Sequence, residues 1–242
     1  WHASGASATL WPTRRAAGSG FAVQTCSSDT NWMTWPGCEN VPMLTQQQKN
    51  RFDLLGYLTF PGLFADEIAA IRAEFDRVFR EQAEQIMPWE HVVHHNRPRQ
   101  IMPMIADKSA LLHTLALEGK LAEIVADLVG EPFRLLGSDG NIYDCGTRWH
   151  TDITGLPYNC RNVKIIFYFD SMRAGEDAFR IIPGSHHHTD RFAKLLKKTV
   201  KTPEETIGLS ITDVPCAEIP TEPGDVVVFD ARAWHAVPYC GN

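Results

Sequence analysis

The sequence lacks the features of a membrane protein and of a nucleic-acid binder. None of its apolar runs approaches the ~18 residues that a membrane-spanning helix needs. Basic residues are not in excess, because 23 lysines and arginines stand against 29 aspartates and glutamates, for a net charge of −6. Proteins that bind nucleic acid normally carry a basic surface. We therefore expect neither a membrane nor a nucleic acid as a partner.

A Cys-x-x-Cys motif and a secretion signal are also missing. The chain has six cysteines but no Cys-x-x-Cys pair. A chain of this length does not need disulfides to be stable. Its N-terminus has no basic segment followed by an apolar one, as a signal peptide would. We expect reduced thiols in a cytoplasmic protein, with a Cys26–Cys38 bridge as the alternative.

The first part of the chain divides into an extension and a helical region. Residues 1–43 are rich in Ser, Gly, Thr and Trp without periodicity, so we expect an irregular N-terminal extension before a domain over 44–242. Thr45 and Gly56 have the character of the N-cap and the stop of a helix, and "YLTF" after them predicts a strand.

Two further helices are expected before the strands begin. Apolar residues at 68, 71, 75 and 79 predict an amphipathic helix. The segment "SALLHTLALEGKLAEIVADLVG" predicts one more helix, which ends at Gly130.

The rest of the sequence has the character of an antiparallel β-structure. "FRLLGSDGNIYD", "NVKIIFYFD", "AFRIIPGSH", "AEIPTEPGDVVVFDA" and "WHAVPY" are short, rich in β-branched and aromatic residues, and separated by turn residues. Helices come first and strands follow, without βαβ alternation. We therefore predict an α+β fold in which N-terminal helices pack on a jelly-roll, or cupin-like, barrel.

A histidine and an aspartate lie two residues apart in "RWHTDITG". In a strand, this spacing directs His150 and Asp152 to one face. His235 is the natural third ligand, because in "PGDVVVFDARAWH" a Pro-Gly-Asp turn leads into a strand that we expect to end at this histidine. Two imidazoles and one carboxylate suit non-haem Fe(II) with open positions, and zinc accepts the same ligands.

Three motifs in order resemble one enzyme family. They are "WHTD" at 149–152, "PGSH" at 183–186, and "PGD" at 223–225 before the strand that leads to "WH". They resemble the phytanoyl-CoA dioxygenase family of Fe(II)/2-oxoglutarate oxygenases. The resemblance covers about residues 44–242 and implies a double-stranded β-helix fold.

The resemblance implies iron ligation by His150, Asp152 and His235. It also implies 2-oxoglutarate as cosubstrate, O₂ as oxidant, and hydroxylation of a small organic molecule with release of succinate and CO₂. Related halogenases have Ala or Gly where this chain has Asp152, so hydroxylation is expected. The alternatives are a metal-dependent cupin-like enzyme that does not use 2-oxoglutarate and a degenerate, non-catalytic binding module. Neither the substrate nor the oligomeric state follows from the sequence.

The family's arginine for the far carboxylate of 2-oxoglutarate has no counterpart after His235 in this sequence. That arginine lies about ten residues beyond the distal histidine and binds bidentately. The sequence ends at Asn242, so we expect that the chain continues, that another arginine substitutes, or that the protein is degenerate. One candidate is Arg14, or its neighbour Arg15, since "WHASGASATLWPTRR" at the N-terminus repeats the Trp-His-Ala at 234–236. A displaced last strand would then lie beside residues 226–230.

Other residues have weaker claims to the site. Arg99 lies between the helical and β parts and is a candidate for an acidic group of cosubstrate or substrate. Asn141, on the strand before His150, is a second candidate contact for the cosubstrate. The tract His186, His187 and His188 is expected to be a structural turn.

Overall fold

The computed structural model describes residues 18–27, 43–88, 99–130, 133–143, 146–152 and 161–237. The strands are β1 (Gly18–Ser27), β2 (Tyr57–Phe60), β3 (Met87–Pro88), β4 (Arg99–Pro103), β5 (Phe133–Tyr143), β6 (Thr147–His150), β7 (Asn162–Tyr168), β8 (Phe179–Ile181), β9 (Ala217–Ile219), β10 (Val226–Asp230) and β11 (His235–Val237). The helices are α1 (Gln46–Leu55), α2 (Ile68–Glu81), α3 (Ala110–Leu117), α4 (Gly119–Val129), α5 (Arg191–Thr199) and α6 (Pro203–Ile207).

Local capping sets the bounds of α1, as predicted. Thr45 and Gln48 form a capping box, in which the Thr45 side chain accepts from the Gln48 backbone and the Gln48 side chain accepts from the Thr45 backbone. Gly56 ends the helix in the left-handed region, with φ of 83°. This sharp stop lets the chain turn at once into β2.

The single helix expected over 109–130 is wrong, because the structure has two. α3 and α4 are separated at Glu118, whose extended backbone has φ of −132° and ψ of 165°. Gly119 follows at φ of 61°, a region that glycine enters without strain. α4 then ends before Gly130, as expected.

All strands pair antiparallel in two sheets. The larger sheet has the order β2-β10-β7-β1-β5-β4-β3, and the smaller one has the order β6-β11-β8-β9. Helices and antiparallel sheets make this an α+β fold. Within the described ranges the two sheets do not close into one barrel.

The expected irregular extension is wrong for residues 18–27, which form β1 at the centre of the larger sheet. β1 pairs with β5 on one side and with β7 on the other. The alternative, a displaced strand from the N-terminal segment, is confirmed for residues 18–27, but its expected place beside residues 226–230 is wrong, since β7 separates β1 from β10. The partner strands lie more than 100 residues later in the chain, so local sequence patterns do not identify them.

Apolar clusters fill the spaces on both sides of the sheets. One cluster joins the helices to the larger sheet and includes Phe52, Phe75 and Leu121. A second fills the space between the two sheets and includes Phe179 and Phe229. A third, around Trp149 and Trp234, covers the other face of the smaller sheet. The smaller sheet is therefore buried on both faces.

In the parts of the chain that the structure describes, each helix is too short or too polar to cross a membrane.

Candidate metal centre

Pairing between β6 and β11 places two histidines opposite each other. His150 is the last residue of β6, His235 is the first of β11, and the two are direct partners across the strands. Their ring centroids lie 4.2 Å apart. His235 therefore starts a strand of its own; the expectation that it ends the strand at 226–230 is wrong, because the turn at 231–234 separates the two.

Each histidine directly follows a buried tryptophan, and this order orients the imidazoles. Successive side chains of a strand point to opposite faces. Trp149 and Trp234 pack on the outer face of the smaller sheet, and the Trp149 indole N–H donates to the carbonyl of Ile211 at 3.1 Å. His150 and His235 are thereby directed to the opposite face.

Asp152 completes the group from just beyond the strand. β6 ends at His150, so the strand alternation expected for His150 and Asp152 does not extend to the aspartate. A backbone hydrogen bond from Asp152 to the carbonyl of Ala231, 2.9 Å long, holds it instead. One carboxylate oxygen lies 3.5 Å from Nε2 of His150, and the other lies 3.2 Å from Nε2 of His235.

Backbone carbonyls determine which nitrogen each imidazole presents. Nδ1 of His150 lies 2.7 Å from the carbonyl of Arg148, and Nδ1 of His235 lies 2.9 Å from the carbonyl of Ala233. A carbonyl only accepts, so each Nδ1 carries a proton, and Nε2 is the nitrogen that each ring directs toward Asp152. A partner of this kind fixes the ring orientation of metal-binding histidines.

The three side chains fit a divalent metal. One ligand atom from each of His150, Asp152 and His235 lies within 4.8 Å of the others, which matches the two-histidine, one-carboxylate set of non-haem iron sites. Burial alone raises the pKa of the Asp152 carboxyl, but the charges of Lys164 and His235 hold that pKa well below its usual range. The carboxylate is therefore ionised and ready to bind a cation.

Lys164 is a residue of this site that the sequence did not reveal. Its ammonium donates to Asp152 at 2.7 Å. The available signal was weak: a single lysine interrupts the apolar strand "NVKIIFYF". In the structure, Lys164 alternates with Val163 and Ile165, which pack toward the helices. Its side chain therefore points between the sheets.

His186 has a structural role, as expected. It is buried, and its Nε2 lies 3.1 Å from the carbonyl of Asp53. Burial lowers the pKa of His186, which favours its neutral form. Its neighbour Ser185 accepts a hydrogen bond from the backbone of Trp234 at 2.8 Å. The Pro-Gly-Ser-His turn thus connects α1 to the segment before His235.

The candidate cosubstrate residues lie on the larger sheet or outside the described ranges. Asn141 is buried on β5, and its amide donates to the carbonyl of Asp139 at 3.3 Å. Arg99 begins β4 opposite Tyr143, and the structure describes its backbone but not its side chain. Arg14 also lies outside the described residues.

Comparisons with known proteins agree with this site. The sequence model of the phytanoyl-CoA dioxygenase family matches residues 52–237. No protein of curated function matches the sequence.

Several solved structures share the fold. One is SnoK, a non-haem α-ketoglutarate-dependent carbocyclase from nogalamycin biosynthesis (22% identity, 81% of this chain and 78% of that one, TM-score 0.59). Another is HygX from Streptomyces hygroscopicus with nickel, 2-oxoglutarate and hygromycin B bound (20%, 83% and 83%, 0.57). A third is EctD from S. alaskensis with 2-oxoglutarate and 5-hydroxyectoine (18%, 96% and 81%, 0.60).

The match to the family model spans most of the chain and includes all three residues of the metal-binding group. This chain belongs to the phytanoyl-CoA dioxygenase family.

Proposed function

We propose that the protein is an Fe(II)- and 2-oxoglutarate-dependent dioxygenase that hydroxylates a small organic substrate, consuming O₂ and releasing succinate and CO₂. The observation that carries this proposal is the convergence of His150, Asp152 and His235 within 4.8 Å. Membership in the family and the similarity to structures with metal and 2-oxoglutarate support it. Asp152 supports hydroxylation in particular, because it fills the position that a halide would need.

Iron, when bound, supplies the activation of O₂ coupled to oxidative decarboxylation of 2-oxoglutarate. The protein's own task is to hold and shield the metal. Nε2 of His150, Nε2 of His235 and the Asp152 carboxylate are the ligands we propose. The rings of Phe179 and Phe229 have their centroids 5.5 and 4.7 Å from that of His235. They form an apolar wall that limits water beside this ligand.

We also propose that the two sheets are the halves of a jelly roll. From β5 to β11 the chain crosses repeatedly between the two sheets. The larger sheet contains β5, β7 and β10, and the smaller one contains β6, β8, β9 and β11. A jelly roll has eight strands in two Greek keys. β5 to β11 are seven strands, and β1 lies between β5 and β7 as the eighth. A strand from the N-terminal segment thus completes the larger sheet.

For the cosubstrate carboxylates, we propose contacts from Arg14, Arg99 and Asn141. Their strands are neighbours: β1 begins four residues after Arg14, Asn141 pairs with Gly20 of β1, and β4, which Arg99 begins, pairs with β5. A bidentate guanidinium is the side chain best suited to a carboxylate. Arg14→Met and Arg15→Met should separate the two N-terminal candidates. If neither raises the Kd for 2-oxoglutarate, the N-terminal arginine proposal fails.

The proposed function is tested with the purified chain. We expect Fe(II)-dependent release of succinate from 2-oxoglutarate in air, increased by the true substrate. Under anaerobic conditions, adding 2-oxoglutarate to the Fe(II) protein should produce the visible charge-transfer absorption of a chelated 2-oxo acid. Stoichiometric zinc binding with no effect of 2-oxoglutarate would contradict the proposal and indicate a cupin-like zinc enzyme.

We place the enzyme in the cytoplasm, with a small molecule as its substrate. Cys216 is a free thiol in the described part of the chain, and burial raises its pKa. A protonated thiol of this kind resists oxidation. Labelling of all six cysteines by a thiol reagent in the unfolded, unreduced protein is expected.

A further inference from the structure

Lys164 is a charged residue in an apolar environment. It lies on β7 opposite Phe229 of β10. Ile166 and Tyr168, which share its face of β7, pack in the cluster between the sheets. The Lys164 side chain is only 23% exposed. Because moving an unpaired ammonium out of water is unfavourable, this position requires a nearby anion.

That anion is one of the candidate metal ligands. The Lys164 ammonium lies 2.7 Å from the same carboxylate oxygen of Asp152 that lies 3.2 Å from Nε2 of His235. A divalent cation held by this oxygen and by the two histidines would be close to the ammonium. The two positive charges would repel each other strongly in a site where Asp152 is only 17% exposed.

The formal charges of Asp152, Lys164, the metal and 2-oxoglutarate show which states of the site Lys164 favours. Without metal, the Asp152–Lys164 pair is neutral. With a divalent metal alone, the same group has two excess positive charges. When the dianion 2-oxoglutarate joins the metal, the sum is again zero. Lys164 is therefore compatible with the metal-free pair and with the complete complex, and it disfavours the metal bound alone.

We propose that Lys164 couples the binding of the metal to the binding of the dicarboxylate cosubstrate, so that each strengthens the other. This inference rests on the proposed function. It concerns the end of 2-oxoglutarate that would bind the metal, whereas the contact proposed for Arg14 concerns the far carboxylate. In the complete complex, the Asp152 oxygen binds the metal instead of Lys164. The Lys164 ammonium then donates to a carboxylate oxygen of 2-oxoglutarate. No bond is made or broken in this exchange of ion pairs.

The test measures the coupling factor, which is the Kd of Ni²⁺ without 2-oxoglutarate divided by the Kd with saturating 2-oxoglutarate. Calorimetry with Ni²⁺ avoids turnover. Couplings between two sites are typically about 5- to 150-fold, and we expect the wild-type chain to fall in this range. Lys164→Met removes the charge and keeps an unbranched side chain. It should bring the coupling factor below about 5, while Ni²⁺ alone binds as tightly as before or more tightly.

Two controls accompany this variant. Lys164→Arg keeps the charge and should keep most of the coupling. Lys49→Met breaks a comparable pair, since Lys49 lies 2.6 Å from Asp127, and should leave both Kd values unchanged. Thermal unfolding checks that every variant is folded. If Lys164→Met does not fold, Lys164→Gln takes its place in the same titrations.

The outcomes separate the two proposals. If Lys164 only orients Asp152, Lys164→Met weakens Ni²⁺ binding and leaves the coupling factor unchanged, which overturns this inference alone. If 2-oxoglutarate does not bind to the wild-type Ni²⁺ protein, the proposed function fails and this inference fails with it. A smaller coupling factor in Lys164→Met, retained in Lys164→Arg, supports it.

Discussion

His150 and His235 are direct partners across β6 and β11, and each directs Nδ1 to the carbonyl of the residue two positions before it. The repeated hydrogen bond directs both Nε2 atoms toward the Asp152 carboxylate, 3.5 and 3.2 Å away. The two residues come from strands that are 85 positions apart in sequence and adjacent in space. Pairing of these strands is therefore what assembles the site.

Asp152→Ala should abolish 2-oxoglutarate-dependent succinate release. The variant loses a ligand and a negative charge, and it leaves the Lys164 ammonium next to the two histidines. Metal affinity should fall by more than the ~10- to 100-fold that loss of an outer-shell partner costs. Calorimetry with Ni²⁺ and a succinate assay check this.

Asp127→Ala is the matched control, because Asp127 also pairs with a lysine but lies on α4 outside the triad. It should keep the metal affinity. Near-normal turnover in Asp152→Ala would contradict the role we assign to this residue.

Acid stability should depend on Glu74. Hydrogen bonds from Arg77, at 2.7 and 2.8 Å, and from the Ser109 hydroxyl lower the pKa of Glu74 from 4.5 to about 2. A pKa lowered by folding stabilises the protein above pH 4.5, and this contribution disappears as the pH falls toward 2. With solvent screening, we expect it to be about 1 kcal/mol at neutral pH.

Glu74→Gln should therefore unfold more easily at pH 7 and lose less stability than the wild type between pH 5 and pH 3. Urea unfolding at each pH measures both effects. Glu81→Gln is the control, since Glu81 also pairs with Arg77 but is 51% exposed. Equal pH profiles for the wild type and Glu74→Gln would show that the Arg77 and Ser109 contacts contribute nothing.

A proline in β1 should unfold the protein, although it lies in a segment without sequence periodicity. Ala22 pairs with Asp139 on one side and Ile166 on the other. Its N–H therefore faces a partner strand, and proline has no N–H. Ala22→Pro should cost at least ~3 kcal/mol, whereas Ala22→Ser keeps the donor. Chemical unfolding measures the difference, and equal stability of the two variants would contradict the central position of β1.

Local patterns predicted most elements, because their causes are local. The Thr45 capping box and Gly56 are visible in a few residues, and so are the short strands from β5 onward. The two Trp-His pairs are also local, since a buried tryptophan on one face places the next side chain on the other. The sequence predicted these elements and the three members of the triad, but not that the tryptophans orient the histidines.

The remaining features depend on contacts between distant segments. β1 has its position because of pairing with β5 and β7, more than 100 residues later. The break at Glu118 is hidden by apolar residues that continue the helical period on both sides. The role of Lys164 depends on Asp152, whose carboxylate the fold places 2.7 Å from the Lys164 ammonium. Such features need tertiary information.

Gly56 should be intolerant of any side chain, for two separable reasons. At φ of 83°, a residue with a Cβ is strained by about 1–3 kcal/mol. A Cβ would also lie 2.5 Å from Nδ1 of His186, whose ring is buried. Overpacking of this kind typically costs a further ~1–3 kcal/mol.

Gly208→Ala isolates the first reason, because Gly208 also ends a helix in the left-handed region, with φ of 69°, and has no atom within 4 Å of its added Cβ. Gly56→Ala should therefore lose at least ~1 kcal/mol more than Gly208→Ala in urea unfolding. Since His186 and Ser185 connect α1 to the segment before His235, we also expect weaker Ni²⁺ binding in Gly56→Ala alone. Equal losses of stability in the two variants would show that His186 moves away freely and does not hold this part of the site.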